Sequence, residues 1–227
     1  MKRFKVILVA TLVGAVAGAL VARLALHGGG RFAGSLFDKA LIDRWPWMGA
    51  AVGWVIFSLY WEAAAKNAAA TKSAETGASR GIHVFLTNAA LILEMIPLRG
   101  VGRFVALSST IMVGGLAVEA MGLGLAIVAR RHLGRNWSGE ISIKVDHQLI
   151  RSGPYRKLRH PIYTGLLTMY AGTAVVSGTW VALAGFAVGA FAYARKIRLE
   201  EANLRVAFGA EYEGYRRESW ALVPGVF

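Results

Sequence analysis

Between Ile162 and Ala194 the chain carries roughly 33 residues without a charge, broken by the polar triplet Ser177-Gly178-Thr179. As one continuous helix this stretch would be about 50 Å long at 1.5 Å per residue, well beyond a hydrocarbon core of about 30 Å. Two tightly linked helices fit the length, with the triplet as their turn. Further apolar runs from about Val6 to Leu26, Trp47 to Ala65, Val84 to Leu98 and Val105 to Val128 have lengths suited to membrane spans. The first exceeds a typical signal-peptide core and is read as an uncleaved anchor behind Lys2, Arg3 and Lys5.

Composition agrees with a membrane solvent. Hydrophobic residues make up 56% of the 227 and charged residues 17%, with a mean hydropathy of +0.47, too apolar for an ordinary soluble domain of this size. The formal net charge of +13 would suggest nucleic acid in a soluble protein, but here Lys and Arg gather between and after the apolar runs, so no nucleic-acid partner is expected. With no cysteine in the sequence, disulfides, thiolate metal sites and cysteine nucleophiles are excluded. The chain also lacks metal-ligand spacings such as HExxH, and no metal is expected.

The fold class expected is all-α: a polytopic helical bundle with a cytoplasmic cofactor-binding cap and a closing helical hairpin. Residues 1–130 form the membrane domain of four spans, and 131–227 the cofactor-binding region, with the hairpin at 161–195 and a cytoplasmic helix after it. Basic residues from Arg130 to Arg159 and from Arg195 to Arg217 place those segments on the cytoplasmic side by the positive-inside rule. Four crossings followed by a hairpin put the amino and carboxyl termini on that side too.

Hydrogen-bonding residues abut the hairpin at both ends. Before it stand Gly153-Pro154-Tyr155 and Arg159-His160-Pro161-Ile162-Tyr163-Thr164-Gly165; after it come Glu200-Glu201 and Phe208-Gly209-Ala210-Glu211-Tyr212. Pro161 suits the first turn of a helix, where its missing N–H costs nothing. His160 then stands at the mouth of a helix whose free N–H groups suit a carboxylate. Tyr155 and Tyr163 offer flat faces and hydroxyls, and one of the two glutamates, preferably Glu200, can meet a ribose diol or an amino group. Such a site would hold a polar, partly aromatic, zwitterionic cofactor beside lipid.

In order and spacing, His147-Gln148-Leu149-Ile150, Gly153-Pro154-Tyr155, the RHPxYxG run from Arg159 to Gly165, the paired glutamates and FGxxYxxY from Phe208 to Tyr215 carry a resemblance. The segment from about Leu133 to Val226 resembles the carboxyl-terminal region of the isoprenylcysteine carboxyl methyltransferase family. The resemblance implies methyl transfer from S-adenosylmethionine to the carboxylate of a lipophilic or prenylated acceptor drawn from the bilayer. It also implies cofactor binding by His147, Gln148, Leu149, Ile150, Tyr155, Arg159, His160, Pro161, Ile162, Tyr163, Glu200 and Glu201. The family has an arginine near the acceptor carboxylate, and here Arg195, Lys196 and Arg198 are the candidate cations. Phospholipid methyltransferases and NADPH-dependent membrane sterol reductases are similar at greater distance, which leaves an aminolipid acceptor or an NADPH cofactor as alternatives.

Two carboxylates fall inside apolar spans, Glu94 and Glu119, where a charge costs roughly 2.5–3.5 kcal/mol on insertion scales. Glu119 is expected either to face the reaction chamber as a catalytic residue or to bridge helices. Glu94, just before Pro97, reads as structural. Tyr212 and Tyr215 read as part of an interfacial aromatic belt. Gly114-Gly115, Gly122 and Gly124 read as a close-packing surface on the fourth span.

Overall fold

The structure is a computed structural model that describes residues 44–66, 71–74, 76–137, 142–144 and 149–225. The expected first span and the His147-Gln148 pair lie outside the described residues. Long helices dominate: α1 (Trp45–Ala65), α2 (Gly77–Met95), α3 (Ser109–Leu133), α4 (Pro161–Ser177) and α5 (Trp180–Phe208), followed by the short α6 (Ala210–Glu218). Three of them, α1, α3 and α5, are long and apolar enough to cross a membrane, and the protein is a membrane protein. The all-helical reading acquires one addition, a two-stranded antiparallel ladder of β1 (Thr71–Ala74) and β2 (Ser142–Lys144), pairing Ser73 with Ile143 and Ala74 with Ser142.

Side-chain caps mark where the helices begin. Thr76, Ser108 and Thr179 accept hydrogen bonds from the backbone N–H groups of Ser79, Ile111 and Ala182, each satisfying one of the orphan donors of a first turn. The predicted break in the 33-residue apolar run is realised at Gly178-Thr179. Gly178 adopts a left-handed conformation (φ 69°) that ends α4, a geometry that favours glycine, and Thr179 caps α5 one residue later. The expected third span at Val84–Leu98 is a helix that starts earlier, at Gly77, and ends at Met95, because Pro97 is unsuited to continue it.

Glycines bring α3 and α4 into backbone contact. A Cβ on Gly115 would lie 2.9 Å from the Gly172 carbonyl oxygen, and one on Gly122 only 2.5 Å from that of Gly165; the reverse substitutions clash equally. Pairing 115 with 172 and 122 with 165 makes the helices antiparallel, and the seven-residue spacing on each keeps both pairs on one face. Gly114 and Gly124, expected to share this role, meet nothing within 4 Å. They lie off the buried stripe formed by Met112, Gly115, Glu119, Gly122, Ala126 and Ala129.

A second antiparallel pair joins α2 to α5. Arg195 reaches Ser79, the His83 ring meets Tyr193 at 5.2 Å, and Gly185 abuts the Ala90 carbonyl and Glu94. α1 packs across α3 and α4, with the Trp54 indole donating to Thr173 at 2.9 Å and lying tilted against Tyr170 at 4.7 Å. Arg130 ties two helix ends together: its guanidinium donates to Ala64 O (2.5 Å) and Gly134 O (2.9 Å) and lies 4.3 Å over the Trp137 ring. Both carbonyls also accept a backbone N–H, from Lys66 and Trp137 respectively, and the added cation has the sign the helix dipole favours at that end.

These contacts sort the connections by end. The described parts of the connections, residues 66, 71–74, 76, 134–137, 142–144, 149–160 and 209–225, gather at the end where α1 and α3 finish and where α2 and α4 start. At the other end, Arg103 donates to the Ser177 carbonyl, Arg103 pairs with Thr179, and the Ser177 hydroxyl donates to Glu94 O.

Candidate active site

Polar groups converge where α4 begins and α5 runs past it. Pro161 occupies the first turn of α4 and His160 the cap position. The His160 ring is buried and lies 5.5 Å from Tyr163, nearly parallel at 11°. From α5, Glu200 Oε2 accepts the Tyr163 hydroxyl at 2.7 Å and lies 3.9 Å from His160 Nδ1. The Lys196 ammonium sits 5.8 Å from the Tyr163 ring centroid, a cation against a π face. Tyr193, one turn earlier, meets Tyr163 at 5.3 Å.

Glu201 points to a different neighbourhood. Its Oε1 accepts from Arg159 Nε at 2.8 Å and lies 3.4 Å from His160 Nε2, while Oε2 lies 3.6 Å from both Arg205 and Arg216. Arg159 also donates to the backbone carbonyls of Ser219 and Arg216. A strap after α6 completes the enclosure: Arg159 N–H donates to Trp220 O (2.8 Å), His160 N–H to Ala221 O (3.1 Å), Trp220 N–H to Lys157 O (3.0 Å) and the Thr164 hydroxyl to Leu222 O (2.8 Å). The helix mouth is thus partly spent on the strap. Of the groups proposed from sequence for a carboxylate, the N–H of His160 already has a protein acceptor.

Tyr155 is buried in the turn before α4. Burial, reinforced by the Glu200 carboxylate, pushes its phenol well above the ordinary value, so it serves as a neutral donor and an aromatic surface. The turn itself demands glycine at 153, where a Cβ would fall 2.6 Å from the His132 ring. His132 in turn stacks near Tyr155 and lies 2.8 Å from the Ser152 hydroxyl. Tyr212 and Tyr215, expected in an interfacial belt, are instead buried. The Tyr215 hydroxyl donates to Tyr155 O at 2.5 Å and to Leu158 O at 3.3 Å, and burial pushes its phenol up to about 12. Tyr215 thus holds the 155–160 turn from beneath, and Tyr212 meets the Tyr215 ring edge-on at 6.2 Å.

The structure therefore brings together Tyr155, His160, Tyr163, Lys196 and Glu200, with Arg159 and Glu201 behind them. Leu149 and Ile150 lead into the turn, half-buried, and Ile150 packs on the core, as does the buried Ile162. The other two candidate cations diverge: Arg195 donates to the Ser79 hydroxyl and carbonyl, and Arg198 is exposed. Glu119 stands elsewhere. It is 1% exposed, accepts from the Thr173 hydroxyl at 3.3 Å and abuts Gly53 and Gly172. Thr173 is twelve residues along α4 from Pro161, a rise of about 18 Å. The contacts of Glu119 thus run from α3 to α1 and α4. Glu94 is equally buried.

Tyr193, His83 and His132 were not singled out from the sequence. The spacing Tyr193, Lys196, Glu200 places all three on one helical face, a pattern legible beforehand. His83 and His132 carried no such signal, one standing just before the apolar run at Val84 and the other in the run Arg130-Arg131-His132.

Residues 116–206 match the profile of the Isoprenylcysteine carboxyl methyltransferase (ICMT) family. The match opens inside α3, upstream of the motif-bearing segment, and stops short of the Phe208–Tyr215 motif. A protein-S-isoprenylcysteine O-methyltransferase of Dictyostelium discoideum is 30% identical over 36% of this chain and 35% of its own length. A probable protein-S-isoprenylcysteine O-methyltransferase of Oryza sativa subsp. indica is 32% identical over 48% of this chain and 59% of its own. The chain thus spans between about a third and three fifths of the length of these curated relatives. The solved structure of the eukaryotic intramembrane Ras methyltransferase ICMT aligns over 98% of this chain and 97% of its own, with 13% identity and a TM-score of 0.46.

Proposed function

We propose, from the match of residues 116–206 to the isoprenylcysteine carboxyl methyltransferase family, that this protein methylates the carboxylate of a lipophilic acceptor such as a prenylated cysteine, with S-adenosylmethionine as methyl donor. The observation that carries the reading is the convergence of Tyr155, His160, Tyr163, Lys196 and Glu200 at one end of an apolar helical hairpin. A polar cofactor and a lipid-borne acid can meet only at such a boundary. In this reading residues 1–130 anchor the enzyme and shape the acceptor's path, residues 131–227 hold the cofactor, and the site end of the bundle faces the cytoplasm.

The residues present fit that cofactor. Glu200, 32% exposed at its side chain, offers a carboxylate to an amino group or ribose diol, and the parallel His160 and Tyr163 rings offer a face and an edge to a purine. Tyr163 fixes the Glu200 rotamer through its 2.7 Å hydrogen bond. Lys196, desolvated against the Tyr163 ring, holds an acceptor carboxylate as a point charge. When bound, S-adenosylmethionine would supply an electrophilic methyl group on a sulfonium, which an acceptor carboxylate held by Lys196 could take with loss of a neutral thioether. No proton changes hands, so the chain needs no general base. Its contribution is orientation and exclusion of water, the terms that effective molarity and preorganised charge describe.

Calorimetric titration of the detergent-purified protein with S-adenosylmethionine, followed by methylation of a farnesylcysteine analogue, tests the reading. Binding with methyl incorporation into the carboxyl group supports it. Absence of binding, or methylation confined to amines, overturns it.

A further inference from the structure

The proposed reaction leaves Lys157 and Arg156 without a task. Both are exposed, and among the described residues no carboxylate pairs with either. Three acids of α5 and α6 are engaged elsewhere, Glu211 with Arg151, Glu213 with Arg205 and Arg216, and Glu201 with Arg159, and the exposed Glu218 at the end of α6 forms no salt bridge with either cation. The Lys157 ammonium instead lies 6.0 Å from the ring centroid of Trp220, which is 37% exposed. The pair is held rigidly, because Trp220 N–H donates to Lys157 O and Arg159 N–H to Trp220 O.

Depth is fixed by α3. Val128 is 55% exposed on its outer surface, the last strongly exposed large apolar residue before the basic end of the helix. His132 follows by four residues, about 6 Å along the axis, and the Gly153 turn packs directly on the His132 ring. A bilayer's headgroup zone extends about 5–8 Å beyond its hydrocarbon core. With the hydrocarbon boundary taken at Val128, the turn carrying Arg156 and Lys157 falls at headgroup depth, and its exposed indole at the level where tryptophans concentrate.

We propose that Arg156 and Lys157, flanked by Trp220, form a binding site for the phosphate headgroup of an anionic phospholipid. Two unneutralised cations supply the charge, the indole packs on the glycerol and upper acyl region, and the strap fixes the spacing between them. The lipid would dock on the outside of the same turn whose inside presents Tyr155 and His160. This site does not depend on the methyl-transfer reading.

The test uses the full chain in nanodiscs of mixed phosphatidylglycerol and phosphatidylcholine, with retained lipid counted by native mass spectrometry. The expected result is preferential retention of phosphatidylglycerol by the wild type. That preference should fall about 25-fold in R156Q/K157Q, at about fivefold per basic residue near an anionic surface. The charge-matched R44Q/R99Q, altered at the other end of the bundle, should keep it. Lys157→Arg retains charge and should retain most of the preference, which guards against misfolding of the double variant. Equal retention of both lipids by the wild type, or an equal loss in R44Q/R99Q, would overturn the proposal.

Discussion

Arg159 and Glu201 meet at 2.8 Å with both side chains about 10% exposed, and the same arginine grips the backbone of the strap at Ser219. One guanidinium thereby joins α4, α5 and the segment after α6. Removing Glu201 leaves the Arg159 cation facing only backbone carbonyls, and removing Arg159 leaves Glu201 to Arg205 and Arg216 at 3.6 Å, so each loss should fall at or below about 3–5 kcal/mol, the typical cost of breaking a buried pair. Arg159→Ala and Glu201→Gln should each lower the thermal midpoint of the purified protein and weaken S-adenosylmethionine binding. Arg159→Lys should recover little, since it forfeits the forked geometry that reaches carboxylate and carbonyl together. Wild-type stability in both single variants would show that the pair has no structural role.

Tyr163 and Glu200 differ in what they lose on substitution. Tyr163→Phe removes one hydrogen bond to a carboxylate, worth about 1.5–3 kcal/mol, but leaves the ring stacked on His160 and beside Lys196. Glu200→Gln removes the charge itself. Titration calorimetry should find the larger loss of cofactor affinity in Glu200→Gln; the reverse order would assign the affinity to the phenol.

Among the three neighbouring cations, Lys196 alone is buried beside Tyr163. Lys196→Met should abolish turnover with a carboxylate acceptor while leaving cofactor binding within a few fold. Arg198→Gln should raise neither effect. Steady-state kinetics on a prenylcysteine analogue separates these outcomes, and full turnover in Lys196→Met would move the acceptor elsewhere.

The glycine contacts predict a steep contrast in tolerance. Gly122→Val or Gly172→Val drives a side chain into backbone at distances near 2.5 Å and should yield aggregated or unfolded protein by size exclusion. Gly114→Ala and Gly124→Ala face open space and should be neutral or stabilising by up to about 1 kcal/mol through helix propensity. A stable, monodisperse Gly122→Val protein would contradict the packing.

Because the native chain has no cysteine, introduced thiols report sidedness directly. Ser152→Cys and Gly214→Cys should react with an impermeant maleimide from the cytoplasmic side, and Ser109→Cys from the opposite side. Labelling of Ser152→Cys and Ser109→Cys from the same side would refute the arrangement of ends.

Much of this architecture was written in the sequence at the level of apolar runs. The helix break at Gly178-Thr179, the cap at His160-Pro161 and the convergence of Tyr163 with Glu200 follow from run length, a proline at a helix start and two motifs flanking one hairpin. Partner choice was less legible. Gly114 and Gly115 are neighbours in sequence, yet successive helical residues point about 100° apart, so only Gly115 and Gly122 reach α4. Tyr212 and Tyr215 looked interfacial because composition cannot reveal that α6 folds back under the 155–160 turn. Glu201 and Glu200, adjacent in sequence, likewise face separate partners, His160 being the residue both approach. The ladder of β1 and β2 escaped notice because its strands are only a few residues long and distant in the chain.

The antiparallel glycine contact between α3 and α4 also imposes an order on biogenesis. α3 enters the membrane with Gly115, Glu119 and Gly122 along one stripe, and the partner for that stripe is encoded well downstream, past the whole 134–160 connection. Until Pro161–Ser177 has been synthesised, the stripe has only α1 beside it, through Gly53 at Glu119, and its α4-facing side is left to lipid or to the insertion machinery. Late-arriving α4 thus acts as the latch on an otherwise unfinished span, and ribosome stalling before residue 177 should leave α3 exposed to quality-control proteolysis.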